Sequence, residues 1–415
     1  MLEQFIKNRI ISHLSFAPNK GQNELLEELS RFVVAPITKK AFILLGYAGT
    51  GKTSIVAALV EAYKELQQKV VLLAPTGRAA KVLSHYAHSP AYTIHKYIYR
   101  QKKLGEDVFC LNDNLHRNTL FIIDEASMIS GIRDNTTFGS GMLLDDLIKY
   151  VYSGEGCSLL FLGDNAQLPP VGSSISPALD CDYIVKYGLH LTHCRLTEVA
   201  RQALDSEILD NASRIRPIAL GEEMPPHSVW DILHAEQDCV FIPASEVVER
   251  LEQSYSEVGV EEVIFLTRTN IRTNRYNQGI RTRILWREED IENGDRLMVS
   301  KNNYFWTEQY DDLPFLANGD TLEISRLRNV REMYGFRFAD VQLQSLDYDW
   351  EIDAVVWLDT LYSDSPEANN ALHRQLFERI AEDYPELAHN KKKLAETIYK
   401  SEYYNALQVR FAYAV

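Results

Sequence analysis

The sequence predicts an α/β fold built on parallel sheet, and three observations carry that prediction. Short, continuous apolar runs recur in the first half of the chain, at Ala41–Gly46, Lys69–Ala74, Thr119–Ile123 and Ser158–Leu162. Runs of this length without alternation are the pattern of strands buried on both faces. A helical stretch, Ser54–Gln67, follows the first run and sets Ile55, Leu59, Tyr63 and Leu66 on one face. Finally, the runs end in polar segments, at the strand tips where open α/β sheets place ligands.

The bulk numbers set bounds. At 415 residues the chain suggests two to four domains, taking about 150 residues for each. A hydrophobic share of 46% with 24% charged residues is that of a globular protein in water. No apolar run approaches the roughly 18 residues that span a bilayer, and the first residues lack the apolar core of a signal peptide. The expectation is a cytoplasmic protein with no membrane contact. Five cysteines, odd in number and without a C-x-x-C pair, read as reduced thiols and give no support to a zinc or iron–sulfur site. His85 with His88, and His193 beside Cys194, have no partners at ligand spacing. The net charge of −15 disfavours a broadly basic nucleic-acid coat. It leaves room for a narrow groove of local positive charge.

In chain order, Met1–Leu14 reads as an amphipathic helix, Phe16–Gln22 as a loop and Asn23–Val33 as a second helix. Gln22 offers a donor and an acceptor that match the N6 and N7 edge of adenine; its plain alternative is a solvated residue at a helix start. The Ala41–Gly46 strand then runs into Gly46-Tyr47-Ala48-Gly49-Thr50-Gly51-Lys52-Thr53, which fills the G-x-x-x-x-G-K-[ST] pattern without a mismatch. Its glycines let the backbone curl so that N–H groups point into one cavity. Gly46, Ala48, Gly49, Thr50, Gly51 and Ser54, at the start of the next helix, would cradle phosphates. Lys52 supplies a point charge on them and Thr53 a hydroxyl for Mg²⁺. A nucleotide, ATP, with Mg²⁺ is the expected ligand.

The second strand opens into Pro75-Thr76-Gly77-Arg78, where a strand end and a helix start can hold a nucleic-acid phosphate; a simple strand–helix connection is the alternative. Thr93 and His95 precede Tyr97–Lys103, whose interleaved aromatics and cations suit base stacking or a solvated hairpin. Residues 99–117 read as a small projecting insertion. The third strand ends in Asp124-Glu125, the Walker B arrangement: Asp124 would hold Mg²⁺ and Glu125 would prepare the attacking water. The fourth ends in Gly163-Asp164-Asn165-Ala166-Gln167, with Gln167 placed to sense the terminal phosphate. Two prolines stiffen the loop beyond it.

GYAGTGKT, APTGRAAKVL, DEAS and GDNAQLPPVG, in that order and each at a strand end, together resemble the superfamily 1 helicases, nearest the RecD-like and Dda-like branch that moves 5′-to-3′ on single-stranded DNA. The resemblance extends to Leu196–Gln202, similar to the family's fourth motif, and implies that Arg201 reaches the terminal phosphate across an interdomain cleft. It implies a P-loop NTPase with two RecA-like parallel-sheet motor domains and a small SH3-like β-barrel insertion. On this reading residues 1–194 are the first motor domain, with 99–117 as wedge or pin, and 195–290 begin the second. Glu261–Leu266 would be one of its strands, ending near Thr267 and Asn270, which the resemblance places by the DNA backbone. Residues 291–400 hold the β insertion and a helical segment, with Tyr304, Phe305 and Trp306 read as its core or as a DNA-facing edge. Residues 401–415 would return to the second motor domain. Two further family motifs are expected beyond Val415, so that domain is read as incomplete and the natural protein as longer.

The leading expectation is an ATP-dependent DNA helicase, probing single-stranded DNA and duplex junctions as a monomeric motor. Its rivals are a nucleotide- and DNA-binding module without unwinding activity, and an RNA-directed helicase.

Overall fold

The computed structural model describes residues 1–415 other than 102–108, 134–138, 171, 199–205, 225, 237, 309, 311–312, 314, 347–349, 364–365 and 388. The chain folds into two compact units, Met1–Phe241 and Ile242–Val415. The division falls later than the 194/195 boundary read from the sequence. Helix Glu207–Ala219 lays Arg216 on the Tyr47 ring, and Ser206 and Glu207 bind residues 236–239, which keeps this stretch with the first sheet.

The first unit runs α1 (Leu2–Ser12), α2 (Lys20–Val34), β1 (Lys40–Gly46), α3 (Lys52–Glu65), β2 (Lys69–Ala74), α4 (Gly77–Ala87), β3 (Ala91–Thr93) and α5 (Ile94–Ile98). A hairpin follows, β4 (Tyr99–Gln101) with β5 (Phe109–Leu111), within the expected insertion. Then come β6 (Thr119–Ile123), α6 (Leu143–Ser153), β7 (Ser158–Gly163), α7 (Cys181–Val185), β8 (His190–Leu196) and α8 (Glu207–Ala219). The sheet order is β3-β2-β6-β7-β1-β8 and every neighbouring pair is parallel.

Side-chain alternation explains why the strand sequences are apolar throughout. Ala41, Ile43 and Leu45 of β1, with Phe121 and Ile123 of β6 and Phe161 of β7, pack with Leu144, Leu147 and Val151 of α6. The intervening Phe42, Leu44, Leu120, Ile122, Leu160 and Leu162 pack against Ile10, Leu25, Leu29, Ile55, Leu59 and Leu83 of α1–α4. Both faces are covered, so neither position of the two-residue repeat tolerates a polar side chain.

The second unit runs α9 (Val247–Val258), α10 (Asn270–Gly279), β9 (Arg296–Val299), β10 (Thr321–Met333), β11 (Phe336–Ser345), β12 (Glu351–Trp357), α11 (Pro366–Ala381), α12 (Lys391–Ile398) and β13 (Leu407–Phe411). Its strands close a five-stranded barrel in the order β10-β11-β12-β13-β9. The interior holds Leu297, Val299, Leu322, Ile324, Val341, Leu343, Val356, Leu407 and Val409. Trp306 packs at its side and donates from Nε1 to the Asn405 carbonyl at 2.8 Å.

Leu407–Phe411 pairs with β9 and β12 and completes the barrel, while Tyr413–Val415 just beyond it run alongside Phe265 and Thr267, in the stretch read as the second motor domain. One expectation for this unit is corrected. Glu261–Leu266 is not a buried strand: Val260–Glu262 forms a 3-10 turn and Phe265 makes one parallel bridge with Ala414. Ile264 and Leu266 are 63% and 73% exposed. A strand hidden on both faces needs covering layers; here Val263 and Phe265 pack toward the barrel core on one side, with the Tyr413–Val415 backbone alongside, and Ile264 and Leu266 face solvent. No second parallel sheet forms among the described residues.

A buried ion cluster fastens the barrel to the segment before it. Asp295, fully buried, accepts from Arg281 Nε and Nη2 at 2.9 and 2.8 Å, from Arg287 at 2.7 Å and from the Tyr413 hydroxyl at 2.9 Å. The Glu292 N–H adds a further bond at 2.8 Å. Removing one member of such a cluster strands the remaining charges away from water. Asp295→Ala is expected to destabilise this unit by about 3–5 kcal/mol, read as faster hydrogen exchange of the β9–β13 amides. Unchanged exchange would contradict the role given to the cluster.

Candidate nucleotide site

The turn after β1 is shaped by two left-handed glycines, Gly49 at φ 78° and Gly51 at φ 87°. A Cβ on Gly51 would also lie 2.8 Å from Gln22 Nε2, so glycine is required there twice over. Thr50 is buried, and its hydroxyl donates to the Tyr47 carbonyl at 2.8 Å, which pins the curl from inside. Lys52 folds back over the loop, donating to the Tyr47 carbonyl at 3.0 Å and to the Gly46 carbonyl. Helix α3 starts at Lys52 with no side-chain cap, so the N–H groups of Lys52, Thr53 and Ser54 are available to an anion. Ala48, Gly49 and Ser54 are exposed at the rim.

The sheet order decides what faces Lys52. Strand β7 lies between β1 and β6, so the tips of all three meet at one edge. Asp124 follows β6, its N–H donating to the Leu73 carbonyl at 2.9 Å and its Oδ1 accepting from the Glu125 N–H at 2.9 Å. Glu125 itself sits at φ 49°. Asp164 follows β7, buried, with Oδ1 accepting from the Ala166 N–H at 2.9 Å. Burial pushes the Asp124 carboxyl up, against the Glu125 N–H and Lys52. Burial likewise raises Glu125, helped by the charges of Asp124 and Asp164 and opposed by Lys52. Burial lowers the Lys52 ammonium while Asp164, Asp124 and Glu125 hold it up, in that order.

Asp164 is the site residue that the sequence reading passed over, although its signal was the same as that of Asp124: an acid immediately after a buried strand. Three carboxylates act on one ammonium across the site, and among the described residues none of them comes within ion-pair distance of it. The oxygens of Asp124 and Thr53 are hard donors of the kind that suits a divalent cation such as Mg²⁺. Gln167 lies beyond, exposed, its N–H donating to the Asp164 carbonyl at 3.2 Å.

Gln22 is placed differently from its expected adenine role. It is buried beneath the loop, donating from Nε2 to the Thr50 carbonyl at 3.0 Å and accepting from the Asn19 N–H at 3.0 Å in the capping box of α2. Both ends of the amide are engaged, so in this structure it supports the loop instead of presenting an edge to a base. Arg201 lies outside the described residues.

The nucleic-acid candidates of the first unit share the sheet edge with the loop. Thr76, after Pro75, caps α4 by accepting from the Ala79 N–H at 3.2 Å, with Gly77 buried and Arg78 in the helix's first turn. Thr93 caps α5 by accepting from the Lys96 N–H at 3.3 Å, and the His95 ring lies 5.9 Å from that of Tyr99. Because β2 pairs with β3 up to Ala74 and Thr93, the two caps are neighbours. Thr267 and Asn270 belong to the second unit. The Thr267 hydroxyl is 2.6 Å from that of Thr273, and Asn270 accepts from Arg410 at 2.8 Å.

Fold and site together define a P-loop nucleotide-binding domain, and residues 18–217 match a family model described as an AAA domain. Among curated proteins the chain is 34% identical over 171 residues to an uncharacterized protein of Methanocaldococcus jannaschii, covering 37% of this chain and 13% of that protein. It is 26% identical to the ATP-dependent RecD2 DNA helicase of Deinococcus radiodurans, covering 47% and 24%. It is 31% identical to the ATP-dependent DNA helicase dda of Enterobacteria phage T4, covering 41% and 36%. The chain thus spans no more than about a third of the length of these relatives. Over part of its length the chain is similar to these two ATP-dependent DNA helicases. No helix of the described residues is long and apolar enough to cross a membrane.

The placement of Gln22 has a measurable consequence. Gln22→Ala leaves the buried Thr50 carbonyl without its partner, at a cost of about 1–3 kcal/mol. Faster hydrogen exchange across Tyr47–Lys52 in the nucleotide-free protein is expected. A residue serving only an adenine edge would leave that exchange unchanged.

Proposed function

We propose that this chain is the motor portion of an ATP-dependent DNA helicase that moves on single-stranded DNA, 5′-to-3′, and opens duplex junctions. The observation that carries the reading is the single sheet edge of the first unit. There the loop after β1 and the acids after β6 and β7 stand beside the Thr76 and Thr93 caps after β2 and β3. Nucleotide state and strand contact are then read by turns on adjacent strands of one rigid sheet.

In this reading Lys52 and the loop N–H groups hold the phosphates of ATP, and Thr53 and Asp124 would hold Mg²⁺, which supplies charge neutralisation on them. Glu125 accepts a proton from the attacking water; its raised basicity suits that task. Gln167 senses the terminal phosphate, and Arg201 adds positive charge as that phosphate departs. Pro75, Thr76, Gly77, Arg78, Thr93 and His95 contact the strand in the first unit, and Thr267 and Asn270 are separate DNA contacts of the second unit. A cytoplasmic, monomeric motor completes the proposal.

A second reading keeps a specific basis: the second unit has no parallel sheet among the described residues. On that reading these 415 residues bind nucleotide and DNA without unwinding. Unwinding of a tailed duplex by this chain separates the two, and 5′- against 3′-tailed substrates test direction.

The expected result is ATP hydrolysis stimulated more by single-stranded DNA than by RNA. Lys52→Ala and Glu125→Gln should each lower it by about 100-fold or more. Undiminished hydrolysis in the Lys52 variant would overturn the site assignment.

A further inference from the structure

Tyr47 is the second residue of the phosphate loop and its bulkiest. Over its ring, 3.8 Å from the centroid, lies the guanidinium of Arg216. The Tyr47 backbone is tied to the loop from both sides. Its carbonyl accepts from Lys52 Nζ and the Thr50 hydroxyl, and its N–H donates to the Leu196 carbonyl at 3.3 Å. An arginine resting on that ring is therefore fixed relative to the loop itself.

The helix that carries Arg216 is also anchored. Ser206 caps α8 and donates to Asp238 at 2.9 Å, while the Glu207 carboxylate accepts from the N–H groups of Glu236, Asp238 and Cys239. Those bonds account for the close grouping of Glu207, Asp238 and Cys239 without an ion. Two turns along, the basic residues of the region are matched: Arg214 pairs with Asp210 at 2.8 Å and Arg195 faces Glu222 at 3.8 Å. Among the described residues no carboxylate lies within ion-pair distance of Arg216. Beside the phosphate loop, Arg216 is thus a cation with no acidic partner among the described residues.

We propose that Arg216 is a second phosphate-binding cation of the nucleotide site, stacked on Tyr47 until a nucleoside triphosphate arrives and then paired with its terminal phosphates. The planar fork of arginine suits bidentate contact with phosphate oxygens, and the aromatic ring holds it ready. Lys52 and its equivalents reach the β- and γ-phosphates, so a cation beside Lys52 serves the same end of the ligand. Arg216 belongs to the same compact unit as the loop. The inference rests on the reading of the loop as a nucleotide site.

The experiment is fluorescence titration of the whole chain with a non-hydrolysable ATP analogue, ADP and AMP, with circular dichroism to verify folding. Arg216→Ala and Arg216→Gln are expected to weaken the triphosphate analogue about 10-fold and to leave AMP unchanged, with Arg216→Lys in between. Triphosphate affinity equal to wild type in both variants, while Lys52→Ala is impaired, overturns the inference and spares the nucleotide site. Equal losses for all three nucleotides also overturn it, because they mark general damage. A wild-type chain that binds none of them overturns the underlying reading as well.

Discussion

One charge arrangement organises the first unit: the half-buried Lys52 ammonium faced by Asp124, Glu125 and Asp164. It depends on strand order. With β7 inserted between β6 and β1, two acidic strand tips converge on the loop from the same side. Burial acts in opposite senses on the two kinds of charge, raising the Asp124 and Glu125 carboxyls and lowering the lysine. What offsets that cost is their mutual attraction, and a site that binds a metal-bound polyphosphate supplies further compensation. This explains why a chain with net charge −15 can present a polyanion site: the composition describes the surface as a whole, not this corner.

The sheet also explains why the loop holds its curl. Its floor is the Gln22 amide beneath Thr50, its inner pin is the Thr50 hydroxyl, and its outer wall is the Leu196 carbonyl at the end of β8. Two separate parts of the chain, with the loop's own Thr50, thus restrain one turn of eight residues. Such restraint is how a glycine-rich backbone keeps its N–H groups aimed at a ligand instead of spending binding energy on ordering itself.

Legibility in the sequence followed the physics of burial. β1, β2, β6 and β7 were readable because strands covered on both faces must be apolar at every position. The edge strand β8 was not, since His190, Thr192 and His193 break the run; an edge strand tolerates them where a central one does not. The P-loop glycines were readable because positive φ leaves few alternatives. The support given by Gln22 was not, because a contact across 28 positions has no local signature. In the second unit the turn signals marked the barrel strands. Nothing in Ala406–Val415 marks where the barrel strand ends at Phe411 and where pairing with Phe265 and Thr267 begins.

The central claim is that nucleotide and single-stranded DNA are coupled through one sheet edge. Coupling is reciprocal and appears as a change in equilibrium affinity. The most direct measurement is the affinity of the chain for a fluorescent single-stranded oligonucleotide with and without a saturating non-hydrolysable ATP analogue. The account predicts an affinity that shifts several-fold with the analogue and a Lys52→Ala variant that does not respond. Identical affinity in both states of the unaltered protein would contradict it.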